Sequence, residues 1–211
     1  MPNKIINSES SFRSKLKNKD FTIIARDCIG GVLYHQLNAQ FLSPTINLFF
    51  TLNAFNYFCL YLEDYLNADL EESKEEKVDY PVGLLKPKKD SKVDKILKVH
   101  FMHYESFDNA FQKWEERKKR INFNNIYVIS SCAYPHEIEN LNPQIIDDWN
   151  KIKYPKVILV DKNYGFENEI IIKKPEDCQE YAWLLYAPDQ VQTWKRTFND
   201  FDFVKFLNQK P

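Results

Sequence analysis

"IYVISSCAYPHEIENLNPQIIDDWNKIKYPKVILV" (residues 126–160) decides the fold. Ile126–Ser130 and Val157–Val160 are short apolar runs of the kind that strands covered on both faces carry. Between them Ile145–Ile152 reads as a helix, so the stretch is a strand–helix–strand unit. Strands joined by such a crossover run parallel.

Upstream, Phe21–Ala25 is a further buried strand, and Cys28–Leu37 suits a helix with Asp27 as its N-cap. From Leu52 a helix is marked by Leu52, Phe55, Cys59, Leu62 and Leu66 at three- and four-residue spacing. The charge run Glu71–Lys77 reads as a solvated loop or helix end. Val82–Leu85 and Lys95–His103 read as strands, separated by the basic connection KPKKDSK (86–92). Phe107, Ala110, Phe111, Trp114 and Ile121 mark another helix, whose outer face pairs Glu115 with Lys119 and Glu116 with Arg120. Glu169–Ile172 is an edge strand, and WKRTFNDFDFVKFL (194–207) an aromatic-rich helix docked on the core. Alternating strands and helices predict the α/β class, a three-layer α/β/α arrangement around a mostly parallel sheet. Residues 1–20, with a short polar helix over Ser8–Lys19, form an N-terminal extension, and residues 21–211 a single domain.

Composition narrows the function. Twenty-nine basic residues against 30 acidic ones give a net charge of −1, which excludes a general nucleic-acid binder relying on phosphate neutralisation. No basic segment followed by an apolar stretch opens the chain, and the apolar residues around Phe41–Leu66 are too interrupted by polar ones to span a bilayer. Cys28, Cys59, Cys132 and Cys178 lie far apart with no CxxC, so neither a disulfide framework nor a zinc site is indicated. A reducing, cytoplasmic compartment is expected.

In a parallel sheet, ligands bind at the carboxyl ends of the strands. Arg26, Asp27 and Cys28 follow the first strand, and His103, Tyr104 and Glu105 follow Lys95–Met102. Ser130, Ser131 and Cys132 follow Ile126–Ile129, and Asp161 follows Val157–Val160. On one rim these supply a thiol, an imidazole, hydroxyls and carboxylates. Cys28 is the candidate nucleophile, because unpaired N–H groups in the first turn of a helix favour a thiolate. Arg26 adds to that effect, and Asp27 opposes it if its carboxylate points at the sulfur. Gly30 and Gly31, two of only four glycines, let either a substrate or a neighbouring strand come close, and their N–H groups are candidates for an oxyanion cradle. The plainer alternative is a packed thiol and a close helix–sheet contact.

His103 is the candidate base, with Asp161 or Glu105 to orient it. His100, three residues earlier on a strand, points to the opposite face, so the two are not ligands of one metal. Cys59 lies on the apolar stripe of its helix; Cys132, at a strand end, stays open. Cys178 is incidental. The EERKKR run (115–120) is a solvated face, with a grip on phosphates as the alternative.

FTIIARDCIGG (21–31), SPTINLFF (43–50), YPVGLL (80–85), KVHFMHYES (98–106), FQKWEERKKRIN (111–122), YPKVILV (154–160) and FDFVKFLN (201–208) carry a resemblance. Together, over nearly the whole chain from about residue 20, they resemble bacterial exopolysaccharide and capsule biosynthesis proteins that share a domain of unknown function. Some of these are labelled acetyltransferases. The family's Asn-Cys-Trp-Gly-Gly step matches Asp27, Cys28, Ile29, Gly30 and Gly31, with Asp in place of Asn and Ile in place of Trp. Its His-x-x-His-Tyr element matches His100, His103 and Tyr104. An Asp-rich step after the next strand is replaced by Ser130, Ser131 and Cys132, which puts that loop's role in question.

The resemblance implies an acyltransferase, an O-acetyltransferase of a capsular or exopolysaccharide glycan or its precursor. Cys28 and His103 would be the reacting pair, with Asp27, Gly30, Gly31, His100 and Tyr104 lining the substrate. It implies acetyl-CoA as donor, no tightly bound cofactor or metal, a glycan or glycolipid acceptor, no nucleic acid, and peripheral association with membrane-bound polysaccharide assembly. Two other readings stay open. A nucleotide-sugar glycosyltransferase would enlist Asp27, Asp161 and the Lys118–Arg120 run; a non-catalytic scaffold would expose an aromatic patch from Phe41–Tyr65 or Trp194–Leu207.

Overall fold

A computed structural model describes residues 12–75, 77–132, 135–172 and 201–209; Cys178 and residues 194–200 of the expected closing helix lie outside them. In chain order the elements are β1 (Thr22–Ala25), α1 (Ile29–Gln36), α2 (Leu52–Leu60), α3 (Leu62–Leu66), β2 (Asp69–Glu72), β3 (Val82–Lys86) and β4 (Leu97–His100). There follow α4 (Phe107–Lys118), β5 (Ile126–Cys132), α5 (Pro135–Glu139), α6 (Pro143–Lys151), β6 (Lys156–Val160), β7 (Glu169–Ile171) and α7 (Phe203–Leu207).

Strands β1, β5, β6 and β7 pair in that order, all parallel, with Ala25 opposite Ile129 and Cys132 opposite Val160. The centre of the sheet is the unit formed by residues 126–160, where every residue of β5 and β6 is buried. That is the environment for which continuous apolar runs are suited. Alternate side chains enter two cores. Ile23, Ala25, Ile129 and Leu159 pack with Leu33 of α1 and Phe203 of α7. Ile24, Val128, Ile158 and Val160 pack with Phe55 and Phe58 of α2, Trp114 of α4 and Trp149 of α6. Helices therefore cover both faces, as the α/β/α expectation holds.

The outer side of β1 has no strand beside it among the described residues. Its backbone meets hydroxyls instead. Tyr34 accepts from the Ile23 N–H at 2.9 Å and donates to the Phe21 carbonyl at 3.2 Å, and Thr45 accepts from the Ala25 N–H at 3.0 Å.

A second sheet, β2-β3-β4, is antiparallel. It joins the first through residues 49–50: the Phe50 N–H donates to the Arg26 carbonyl at 3.0 Å, and Phe49 exchanges both backbone bonds with His100 at 2.9 Å. So β4 lies outside the parallel sheet and ends at His100, short of the expected His103. Its alternation explains this: Leu97 and Val99 are buried while Lys98 is exposed, the pattern of a strand with one wet face. Glu71 and Glu72, expected in a loop, belong to the edge strand β2, where only Leu70 is buried.

Local chemistry sets the helix starts. Thr51, Ser106 and Asn142 each accept a backbone N–H three residues on, the ordinary N-cap bond. Helix α1 differs. Cys28 stands at the N-cap and gives no side-chain bond, while Asp27, expected there, sits one residue earlier and takes the Ile29 N–H at 3.1 Å. The helix from Leu52 is broken at Tyr61 into α2 and α3. On α4, Glu116 pairs with Arg120 as expected, but Glu115 pairs with Lys118 at 2.5 Å rather than with Lys119. No helix among the described residues is long and apolar enough to cross a membrane.

Candidate functional site

The carboxyl rim of the parallel sheet holds a buried charged cluster. Arg26, 1% exposed, leaves β1 between two carboxylates. Its Nη1 donates to Glu137 Oε1 at 2.6 Å, and its Nη2 donates to Ser131 Oγ at 2.8 Å and lies 3.4 Å from Asp27 Oδ2. Ser131 in turn donates to Asp27 Oδ2 at 2.6 Å. Glu137 Oε1 also accepts the Leu52 N–H at 3.2 Å, which ties α5 to the start of α2. Its other oxygen is unlike the rest. Glu137 Oε2 has no hydrogen-bond partner among the described residues, although the side chain is only 8% exposed. Burying one cation with two carboxylates costs solvation that packing apolar groups would not. Such clusters concentrate at functional sites.

Cys28 is half-buried and adjoins this cluster. Burial, and then the Asp27 carboxylate, push its thiol up to about 12, outweighing the opposite pull of its own backbone N–H. The expected thiolate at the head of the helix is therefore reversed, and Arg26, engaged with Ser131 and Glu137, does not rescue it. Cys132 is buried at the end of β5 and is likewise pushed up to about 12, by burial and then Glu137, with Arg26 pulling down. Cys59 is fully buried, as its place on the apolar stripe implied.

The two glycines have a packing reason. A Cβ on Gly30 would stand 2.7 Å from the Cβ of Ala25, and one on Gly31 would stand 2.9 Å from Asn47 Oδ1. The space beside them is filled by β1 and by the segment after α1, the neighbouring-strand alternative.

His103 is exposed, in the turn after β4. Because β4 belongs to the antiparallel sheet, the shared parallel rim that would set His103 beside Cys28 does not exist. Its neighbour Tyr104 does approach. The Tyr104 hydroxyl donates to the Ile46 carbonyl at 2.8 Å and accepts from Arg117 Nη1 at 2.8 Å. Burial raises that phenol, Arg117 opposes the rise, and Cys28 adds to it. His100 stacks on Phe49 with ring centroids 4.3 Å apart. Glu105 is exposed and lines a hollow with Tyr80 and Val82 on the antiparallel sheet. Asp161 is exposed at the end of β6, accepts the Tyr164 hydroxyl at 2.7 Å, and adds to the rise of Cys132.

So the rim gathers Arg26, Asp27, Cys28, Ser131 and Cys132, with Asp161 at its margin, and leaves Glu105 on the other sheet. The sequence reading missed Glu137. It sits in a one-turn helix, and the one available signal was its place just past a central strand's carboxyl end. No three His, Cys, Asp or Glu side chains among the described residues cluster to hold a metal.

Fold and rim define an α/β protein with a buried Arg–carboxylate cluster at the carboxyl edge of its parallel sheet. The chain belongs to the family described as Domain of unknown function (DUF1919), which matches residues 2–208. It is similar to an uncharacterized protein of Haemophilus influenzae, 27% identical over 202 residues that cover 94% of this chain and 89% of that relative.

Proposed function

We propose that this protein is an O-acyltransferase, moving an acetyl group from acetyl-CoA to a hydroxyl of a capsular or exopolysaccharide glycan or its precursor. Glu137 carries the reading. One of its oxygens is anchored by Arg26 and the Leu52 N–H, while the other is buried and without a partner among the described residues. A carboxylate held this way is poised as a general base, and a sugar hydroxyl needs one because it is a poor nucleophile while protonated. The acceptor oxygen bonds to the thioester carbonyl carbon and its proton passes to Glu137. The C–S bond breaks, and the departing CoA thiolate takes that proton.

Arg26, Asp27 and Ser131 position the base. Cys28, its thiol pushed up to about 12, stays protonated at neutral pH and lines the site rather than carrying the acyl group. His103, exposed in the turn after β4, is the rival base. The donor places the reaction in the cytoplasm, in peripheral association with polysaccharide assembly.

The test is acetyl transfer from labelled acetyl-CoA to capsular polysaccharide. Glu137→Gln should lower kcat by about 100-fold or more, whereas Cys28→Ala should stay near the wild-type rate. Loss of turnover in His103→Ala with Glu137→Gln unaffected would hand the proton to the histidine. No transfer by the wild-type protein to any glycan acceptor would overturn the reading altogether.

A further inference from the structure

We infer that the groove between α3 and the 88–92 loop is a saccharide-binding site, separate from the rim. The groove has a volume of about 660 Å³ and is lined by Leu60, Tyr61, Glu63, Asn67, Lys92 and Tyr154 among others. Tyr154 lies just before β6, so the groove is at the amino end of the parallel strands, opposite the cluster around Arg26. The inference stands on the groove alone and does not depend on acyl transfer.

The lining has two characters. Tyr61 and Tyr154 present half-buried rings beside Leu60, and Tyr57, which lines the neighbouring hollow, packs on Tyr61 with ring centroids 4.9 Å apart. Around them stand Glu63, Asp64 and Asp90, the Asn67 amide, and the ammonium groups of Lys88 and Lys92. Tyrosine offers a large, rigid, amphipathic contact at low entropic cost, and carboxylates and amides accept and donate to hydroxyls. A pyranose matches both, with an apolar C–H face for the rings and a polar edge for the acids and amide. Three carboxylates against two lysines leave no positive excess to hold a phosphate or a nucleic acid, which favours an uncharged sugar.

The loop wall is set in place before any ligand arrives. Asp64 Oδ1 accepts from Ser91 Oγ at 2.8 Å and from the Lys92 N–H at 3.1 Å, and the Tyr65 hydroxyl donates to the Lys95 carbonyl at 2.7 Å. Lys95 lies over the Tyr57 ring at 4.7 Å. A wall fixed in advance lowers the ordering cost of binding. The volume falls within the range of small-ligand sites and has room for a short oligosaccharide.

Saturation-transfer NMR on the full chain with cellotriose, maltotriose and chitotriose tests this. At least one sugar should receive saturation at its ring C–H protons, and Tyr61→Ala and Tyr154→Ala should each weaken its binding about tenfold or more, since one decade is about 1.4 kcal/mol. Should either tyrosine variant fold poorly by circular dichroism, Asn67→Ala and Lys92→Ala, at exposed positions, must weaken it instead. No saturation in any of the three sugars, or binding unchanged in these variants, would overturn the site. Binding lost in Glu137→Gln but kept in the tyrosine variants would move the sugar to the rim, refuting the groove while leaving the acyltransferase reading intact.

Discussion

At position 28 a thiol sits where helix N–H groups ordinarily make cysteine acidic. Here burial comes first and the adjacent Asp27 carboxylate second, and together they reverse the effect. The consequence is measurable without any substrate. Alkylation of Cys28 by iodoacetamide, followed by mass spectrometry of its peptide, should be slow at pH 7. Because the thiolate fraction of a group with its midpoint at about 12 rises about tenfold per pH unit below that midpoint, the rate should climb by that factor through pH 10 without levelling. A plateau below pH 9 would mean that the thiolate is stabilised after all. Arg26 is the opposite case. Its charge is fully buried and shared between Asp27 and Glu137, so its worth lies in holding two carboxylates in fixed directions rather than in net stability.

Between elements, the packing of α1 against β1 at Gly30 sets the site. Gly30→Ala would gain about 1 kcal/mol of helix propensity, yet its methyl group would meet Ala25 at 2.7 Å. Overpacking of that kind typically costs ~1–3 kcal/mol, so urea unfolding should show a net loss of stability; a gain would mean that α1 can shift outward freely. The same elements show what sequence alone reveals. Strands β5 and β6 are legible because burial on both faces demands unbroken apolar runs, whereas the caps of α4 and α6, Ser106 and Asn142, emerge only from the structure. Strand β2 is not, since Asp69, Glu71 and Glu72 face water and one leucine carries its register. For the site, strand ends located Arg26, Asp27, Cys28 and Ser131, because rim position follows from strand assignment. His103 was drawn to the same rim only by treating β4 as a parallel strand, although Leu97, Lys98 and Val99 already alternate. Glu137 had only its place past the end of β5 to suggest it, since what marks it is a contact with Arg26 across more than a hundred positions of chain.

Across the whole molecule, the ends of the described chain are sewn together by asparagines. The Asn18 side chain donates to Asn125 Oδ1 at 3.0 Å, to the Tyr127 hydroxyl at 3.1 Å and to the Leu207 carbonyl at 2.7 Å, joining the residues before β1 to the start of β5 and to α7. Asn208 returns the link by accepting from the Lys17 N–H at 2.8 Å. Asn18→Ala removes all three bonds; the Tyr127 hydroxyl keeps Gln209 and the Asn125 amide keeps Asp20, but the Leu207 carbonyl loses its donor, a loss worth ~1–3 kcal/mol when buried. Its urea midpoint should drop with the slope unchanged; an unaltered midpoint would mean that water replaces the amide at no cost. A last consequence follows from the hydroxyls of Tyr34 and Thr45 along β1. An unpaired strand margin is where one molecule templates the next into fibres. With the Ile23 and Ala25 amides already engaged by their own chain, a second molecule cannot lengthen the sheet on that flank without first expelling both side chains. The protein thus carries its own guard against polymerisation on the open flank of β1.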